Sequence, residues 1–190
     1  DDDLWGTVVA AEPDGHNDVY DFCIQLWSRG GRLLDENGRP TFDSPEGRAA
    51  LRYYHNLIHE HEVVPPESIE MESVETGQFY ADGKAAMMWN WSGFGAMAEA
   101  PDSAVFGHTN YGLVPRADTP DGEHTSLTVC YGLTVPAGSD HPDLAYEFIR
   151  HTASPESDRI TTLEGASGTR FSTWRDPEVL RSNQFYSMVE

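Results

Sequence analysis

A single stretch, residues 79–95 (FYADGKAAMMWNWSGFG), constrains most strongly what this chain can fold into. It has the pattern of a helix end, a tight turn at Asp82-Gly83 and a buried strand over residues 85–89. An Asp-Gly pair followed by a short apolar run is a good strand signal. The strand ends in two tryptophans that flank one asparagine: Trp89, Asn90 and Trp91. The stretch therefore predicts a sheet edge that carries indole and carboxamide groups.

These side chains suit a pocket for a polar, ring-shaped ligand. Aromatic rings stack on the C–H faces of such a ligand, and an amide forms hydrogen bonds with its hydroxyl groups. The alternative is that Trp89 and Trp91 only fill the core. The stretch by itself leaves both interpretations open.

The charge of the chain excludes several classes of partner. Asp and Glu number 32 against 12 Lys and Arg, which gives a net charge of -20. Nucleic acid is excluded because binding it depends on cations that neutralise phosphates, and anionic membranes are disfavoured for the same reason. Lys84 is the only lysine. This composition fits a protein from a high-salt environment or one from a GC-rich genome.

The two cysteines, Cys23 and Cys130, lie among apolar residues and are predicted to be free, buried thiols. They form neither a disulfide framework nor a metal site. No apolar run approaches the roughly 18 residues of a membrane helix. No signal peptide precedes Asp1, so a leader was removed, the chain is part of something longer, or the protein is cytosolic.

Strand and helix patterns alternate along the chain, which predicts an α/β fold. Strands are predicted over residues 4–11, 85–89, 111–115 and 126–135, and residues 169–173 are predicted to be extended. Helices are predicted over residues 17–28, 45–61, 68–80, 142–152 and 155–164, with a last one beginning at Asp176-Pro177. Asn17 or Asp18 is the expected N-cap of the first helix, and Asp43 or Ser44 that of the second.

Patterns typical of enzymes and metal sites are weak. His55 and His59 lie on one helical face, but the order is not His-Glu-x-x-His and no third ligand is identifiable, so a solvated helix end is the better interpretation. No Gly-x-Ser-x-Gly is present, and no carboxylate pair lies in a distinctly apolar setting. We therefore predict no catalytic residue, no metal and no cofactor.

The order of several loose motifs resembles that of the extracellular solute-binding proteins of carbohydrate ABC transporters, the maltose-binding-like family. The motifs are Gly30-Gly31, the segment 33–38, FDSPEGRAAL at 42–51, the DGKAAM strand with its WNW, YGLVP at 111–115, GLTVPAGS at 132–139 followed by the EFI of 147–149, and TR at 169–170 before the DPE of 176–178. The resemblance spans nearly the whole chain.

The resemblance implies a periplasmic-binding-protein type II-like α/β fold, with one lobe nearly complete plus a segment of the other. Residues 1–108 would form the second-lobe portion, 109–168 would return to the first lobe, and 169–190 would cross back. The opening of the first lobe would be missing and the C-terminus shortened. The returning segment would then lack part of its sheet and expose apolar surface.

The resemblance also implies ligand contacts from four parts of the chain. They are Tyr20 with Asn17 and Asp18, then Trp91 or Trp89 with Asn90, then Tyr131 and Gly132 at the cleft floor, and finally Arg170. Both tryptophans precede Gly93, whereas in some members the stacking ring follows it. Which ring stacks is therefore left open.

The implied function is non-enzymatic capture of a sugar or oligosaccharide between two lobes, for delivery to ABC permease subunits. The protein would be a monomer, extracellular or periplasmic, with a lipoprotein anchor in the full-length protein as one option. The alternatives are a carbohydrate-active enzyme or accessory module, a polyol- or osmolyte-binding relative, and a purely structural α/β domain.

Overall fold

The computed structural model describes residues 4–188 and is rich in helix. In chain order the helices are α1 (Asn17–Trp27), α2 (Pro45–His59), α3 (Ser73–Ala81), α4 (Gly95–Ala98), α5 (Pro142–Thr152), α6 (Pro155–Leu163), α7 (Phe171–Trp174) and α8 (Pro177–Ser182). Short 3-10 helices cover Pro66–Glu70, Ser92–Phe94 and Gln184–Met188. None of the helices in residues 4–188 has the length and apolar character needed to cross a membrane.

The chain divides into two compact units, residues 1–127 and residues 128–190. The assignment of the segments 1–108, 109–168 and 169–190 to particular lobes stays a prediction.

Two of the predicted strands pair with each other in parallel. Trp5 bridges Ala85, and Val8 bridges Met88. The Trp5 N–H donates to the Lys84 carbonyl at 2.9 Å, and the Ala86 N–H donates to the Trp5 carbonyl at 2.9 Å. Gly83 adopts a positive φ of 74° in the turn that precedes the second segment. The Asp-Gly signal therefore located the turn and the extended segment after it.

The other two predicted strands, 111–115 and 126–135, are wrong as strands within this structure. Among residues 4–188, neither segment contains a strand or a β-bridge. A strand requires a ladder of N–H and C=O bonds to a neighbouring segment. Apolar, β-branched sequence favours an extended backbone but does not by itself supply such a ladder.

Helix α1 begins at Asn17, and His16 is its N-cap; neither Asn17 nor Asp18 caps it, contrary to the prediction. The Asn17 amide oxygen accepts a distant indole N–H, from Trp91, and is not available to the first turn. Asp18 Oδ1 accepts only the adjacent Val19 N–H at 2.8 Å. The predicted end at the double glycine is confirmed, with Gly30 at a φ of 77°.

Helix α2 follows its sequence signals closely at its start. Ser44 is the N-cap and its Oγ accepts the Gly47 N–H at 3.1 Å, with Pro45 in the first helical position. The helix buries Leu57 and Ile58 against Val9 and Val64. Partly buried aromatic side chains of Tyr53, Tyr54 and Trp89 pack around this cluster. The core of the first unit therefore lies between α2 and the segment of residues 7–11.

The predicted helix 68–80 is divided into a 3-10 turn and α3. The break lies at Met71, which is extended (φ -105°, ψ 131°). The carbonyls of Ser68 and Met71 accept the N–H groups of Ala11 and Glu12 at 3.1 Å each. Because these carbonyls bond the first segment, the helix cannot continue through them.

A buried carboxyl group joins α1, α2 and the tryptophan segment. Trp89 Nε1 donates to Asp21 Oδ2 at 3.1 Å. The Tyr54 hydroxyl lies 3.5 Å from the same oxygen and donates to the Ala10 carbonyl at 3.0 Å. Burial raises the pKa of Asp21 to about 7, although the Trp89 hydrogen bond acts against this rise.

In the second unit, Asp158 organises the chain around α6 and α7. Its Oδ1 accepts the N–H and hydroxyl of Thr169 at 2.9 Å each, and its Oδ2 accepts the Thr173 hydroxyl at 2.6 Å. Burial opposes ionisation, but the hydrogen bonds from Thr173 and Thr169 outweigh it and hold the pKa of Asp158 below its ordinary value. These bonds curl the chain into α7, so the prediction that 169–173 is extended is wrong from Phe171 onward.

Apolar side chains of the second unit are strongly exposed, as the resemblance implied. None of the residues of α5 is buried, and Leu144 and Phe148 are 71% and 63% exposed. Cys23 is buried as predicted, whereas Cys130 is exposed because its extended segment lacks a covering layer.

Asp21→Asn is expected to change how stability depends on pH. Between pH 3.8 and about 7 the folded protein keeps a proton on Asp21 that the unfolded chain has lost, so this group's contribution to stability falls as pH rises through that window. Asparagine stays neutral and still accepts the Trp89 N–H. The free energy of unfolding of Asp21→Asn, relative to that of the wild type, should rise from pH 4 to pH 7 and then level off. The rise is about 4 kcal/mol at most, because solvent screening reduces the effect of the charge.

Urea unfolding of both proteins across this pH range measures the difference. A difference that is the same at every pH would contradict the assignment.

Asp158→Ala is expected to destabilise the protein by about 3 kcal/mol, because it leaves the buried Thr173 hydroxyl without its acceptor. Asp143→Ala, at an exposed position in the first turn of α5, is the matched control and should change stability by less than about 0.5 kcal/mol. Urea denaturation checks both variants. Equal losses would show that Asp158 has no special role.

Candidate functional site

The candidate site forms where α1 meets the tryptophan segment. Trp91 Nε1 donates to Asn17 Oδ1 at 3.1 Å, and Trp89 Nε1 donates to Asp21 Oδ2 at 3.1 Å. Positions i and i+2 of an extended chain point to one side, and positions i and i+4 of a helix lie on one face. Two indoles spaced by two residues therefore reach two acceptors spaced by one helical turn.

Asn90, which lies between the two tryptophans in the sequence, forms hydrogen bonds only to nearby protein groups. Its Nδ2 donates to the Ser73 carbonyl at 2.7 Å and to Thr76 Oγ1 at 3.0 Å, and its Oδ1 accepts the Trp91 N–H at 2.7 Å. Both donors and the acceptor are engaged within the protein. The amide thus fixes the tryptophan segment to the first turn of α3.

Trp91 lies in a small aromatic cluster at the start of α1. Its ring centroid is 5.6 Å from that of Tyr20, edge to face, and 6.3 Å from that of His16, nearly parallel. His16 and Tyr20 are themselves 4.8 Å apart. All three residues are half-buried, so the cluster meets the surface. Trp89 packs instead against the core around Val9, so the two indoles occupy different environments.

Asn17 carries an unsatisfied donor in this cluster. The residue is 5% exposed, and its Nδ2 is buried without a hydrogen-bond partner. The Trp91 indole can only donate, which fixes the amide oxygen toward Trp91 and the Nδ2 away from it. A buried donor without an acceptor costs about 1–3 kcal/mol.

Acidic residues surround the cluster. Asp14 Oδ1 accepts the His16 N–H at 2.7 Å, and Asp18 is half-buried one residue beyond Asn17. The carboxylates of Asp14 and Asp18 make these surroundings unfavourable for a further negative charge.

The remaining predicted site residues lie in the second unit. Tyr131 is 85% exposed, and Gly132 has open space on its Cα. The Arg170 guanidinium donates to the Ala153 carbonyl, with its Nε at 3.1 Å. This arginine thus closes the C-terminal end of α5 instead of forming a surface ion pair.

Two surface grooves of the first unit lie apart from the indoles. One is lined by residues between 30 and 46, and the other by residues between 78 and 104. Within residues 4–188, no group of three or more His, Cys, Asp or Glu side chains could hold a metal ion.

Sequence reasoning missed two residues of the site, His16 and Asp21, and predicted no role for either. The spacing of Asn17 and Asp21 against that of Trp89 and Trp91 is the signal that could have paired them.

Comparison with known proteins begins with the family model, "Bacterial extracellular solute-binding protein", which matches residues 6–159. A probable amino-acid ABC transporter periplasmic-binding protein from Sinorhizobium fredii is 25% identical over 155 residues, or 81% of this chain. A probable ABC transporter-binding protein from Deinococcus radiodurans is 24% identical over 84% of this chain. The chain spans only 34% and 37% of the lengths of these two relatives.

Solved structures show the same fold. An ABC transporter solute-binding protein from Agrobacterium radiobacter in complex with ribitol superposes with a TM-score of 0.86 at 25% identity, covering 99% of this chain and 47% of its own. Maltose-bound MalE3 of T. maritima gives a TM-score of 0.84 at 23% identity, over 97% of this chain and 47% of its own. These likenesses confirm the predicted periplasmic-binding-protein type II fold.

The family is a substrate-binding family of transporters and not an enzyme family. The matched segment, residues 6–159, covers most of the first unit. It also includes most of the motifs on which the predicted resemblance rests. This chain belongs to the family of bacterial extracellular solute-binding proteins.

Proposed function

We propose that the chain is the solute-capturing part of an ABC importer and that it binds an uncharged sugar or polyol. The observation that carries the proposal is the half-buried Trp91 indole, which is held by Asn17 and bordered by Tyr20. An indole that is fixed by its own N–H presents a rigid apolar face, and C–H faces of sugars stack on such rings.

The charge around the cluster supports an uncharged ligand. Ribitol and maltose are bound by two proteins of the same fold, whereas one curated relative is named as an amino-acid transporter component. Asp14 and Asp18 lie near the cluster in a chain of net charge -20 and would repel the carboxylate of a ligand. An uncharged, hydroxylated ligand therefore fits these surroundings better than an anionic one.

In this proposal Trp91 stacks on the ligand, and Asn17 holds the indole in place. Tyr20 and Asp18 line the same edge, while Trp89 and Asn90 hold the segment in place. Tyr131, Gly132 and Arg170 remain proposed ligand contacts that the family resemblance implies. Closure around the ligand would favour one conformation, which the permease subunits then recognise.

The family is extracellular and one curated relative is named a periplasmic-binding protein, so we infer an extracellular or periplasmic location. Carbohydrate and ABC permease subunits are the proposed partners. A monomeric state and a lipoprotein anchor of the full-length protein are further parts of the proposal.

Isothermal titration with maltose, ribitol, mannitol, tagatose and a set of amino acids tests the function. We expect saturable binding of at least one sugar or polyol, and no release of reducing ends over time. Binding of an amino acid alone would overturn the ligand class, and turnover of a glycoside would overturn the transport function.

Trp91→Leu is expected to weaken binding of the best ligand by about tenfold or more, because leucine keeps apolar volume but has no ring face. Trp27→Leu, which removes a half-buried indole from the far end of α1, is the matched control and should bind as the wild type does. Titration calorimetry compares the three proteins. Equal binding by Trp91→Leu would exclude Trp91 as the stacking ring.

Asn17→Ala is expected to weaken binding of a neutral ligand by about tenfold, since it removes the oxygen that accepts the Trp91 indole N–H and fixes the ring. Circular dichroism should show unchanged secondary structure. Binding at wild-type affinity would show that the ligand does not depend on this hydrogen bond.

A further inference from the structure

The C-terminal turn of α2 brings two imidazoles together. The ring centroids of His55 and His59 are 4.3 Å apart with an interplanar angle of 40°. Both residues are exposed. We propose that His55 and His59 form a two-imidazole site for a divalent transition-metal ion, with Cu²⁺ and Ni²⁺ as the fitting class and water as the remaining ligands.

The distance between the rings supports a shared ion. A metal bound to an imidazole nitrogen at about 2.0–2.1 Å lies about 3.2 Å from the centre of that ring. Two such rings at a right angle about the ion have centres about 4.5 Å apart, and at the tetrahedral angle about 5.2 Å apart. The observed 4.3 Å is close to the right-angle value. Right-angle positions occur in the square-planar and octahedral geometries of Cu²⁺ and Ni²⁺.

A chain of hydrogen bonds prepares His55 as a ligand. Asn56 Nδ2 donates to Glu60 Oε2, which turns the Asn56 amide oxygen toward His55. That oxygen lies 3.4 Å from His55 Nδ1 and can only accept, so Nδ1 carries the proton. The lone pair is then on Nε2, at the outer end of the ring. Metal-binding histidines are commonly oriented in this way by a partner on their other nitrogen.

The surroundings favour a cation. Glu60 and Glu62 are exposed and follow His59 closely in the sequence, and the chain as a whole carries a net charge of -20. His61 is also exposed but takes no part in the contact between the His55 and His59 rings. Since no third protein ligand is assigned, the site is open, and its affinity rests on the two imidazoles.

The site is independent of the proposed sugar capture, so either proposal can fail without the other. Affinity for nitrogen ligands rises along the divalent series to Cu²⁺ and falls at Zn²⁺. We therefore expect Cu²⁺ to bind most tightly, and Mg²⁺ and Ca²⁺, which require oxygen ligands, to show no binding here.

Titration calorimetry with Ni²⁺ on the wild-type chain tests the affinity. We expect one ion per chain, a loss of about tenfold or more in His55→Gln and in His59→Gln, and a loss of about tenfold in Asn56→Leu, which removes the orienting amide. The matched control, His61→Gln, should bind within about twofold of the wild type.

Nuclear magnetic resonance gives a local readout. Substoichiometric Cu²⁺ should broaden the imidazole C–H signals of His55 and His59 before those of the other six histidines (eight in the chain). Uniform broadening of all histidines, or equal losses in His61→Gln and His59→Gln, would overturn the proposal.

Discussion

The first unit depends on a match between the side-chain spacing of an extended segment and that of a helix. Trp89 and Trp91 project their indole N–H groups to one side of an extended segment, and Asp21 and Asn17 accept them from one face of α1. These two hydrogen bonds link α1 to a chain segment about seventy residues away. It places Trp89 against the core and leaves Trp91 in the half-buried cluster beside Tyr20.

Local signals predicted the elements whose chemistry is contained within a few residues. Ser44-Pro45 specified the start of α2 because the cap bond spans only three residues. The Asp82-Gly83 turn was predicted for the same reason. By contrast, the sequence marked Asn17 as a cap, but a partner from a distant part of the chain, Trp91, took its oxygen. A long-range partner overrides a local preference when it offers a better-buried bond.

The sequence indicated which residues lie together at the candidate site better than it indicated their hydrogen-bond partners. Trp91, Tyr20 and Asn17 do lie together, whereas Asn90 proves to be fully occupied within the protein. Residue type indicates that a side chain is able to bond a ligand, but not whether the protein already uses that capacity. The second unit shows the same limit, because apolar alternation predicted a strand over 126–135 without indicating where its neighbour would come from.

The buried Asn17 amide links the stability of the first unit to one unsatisfied nitrogen atom. Its Nδ2 is buried without an acceptor, which costs about 1–3 kcal/mol. A substitution that placed an oxygen within hydrogen-bond distance of Nδ2 would recover this cost and stabilise the unit. The orientation of Trp91 would be kept, because the amide oxygen that accepts its indole N–H is unchanged.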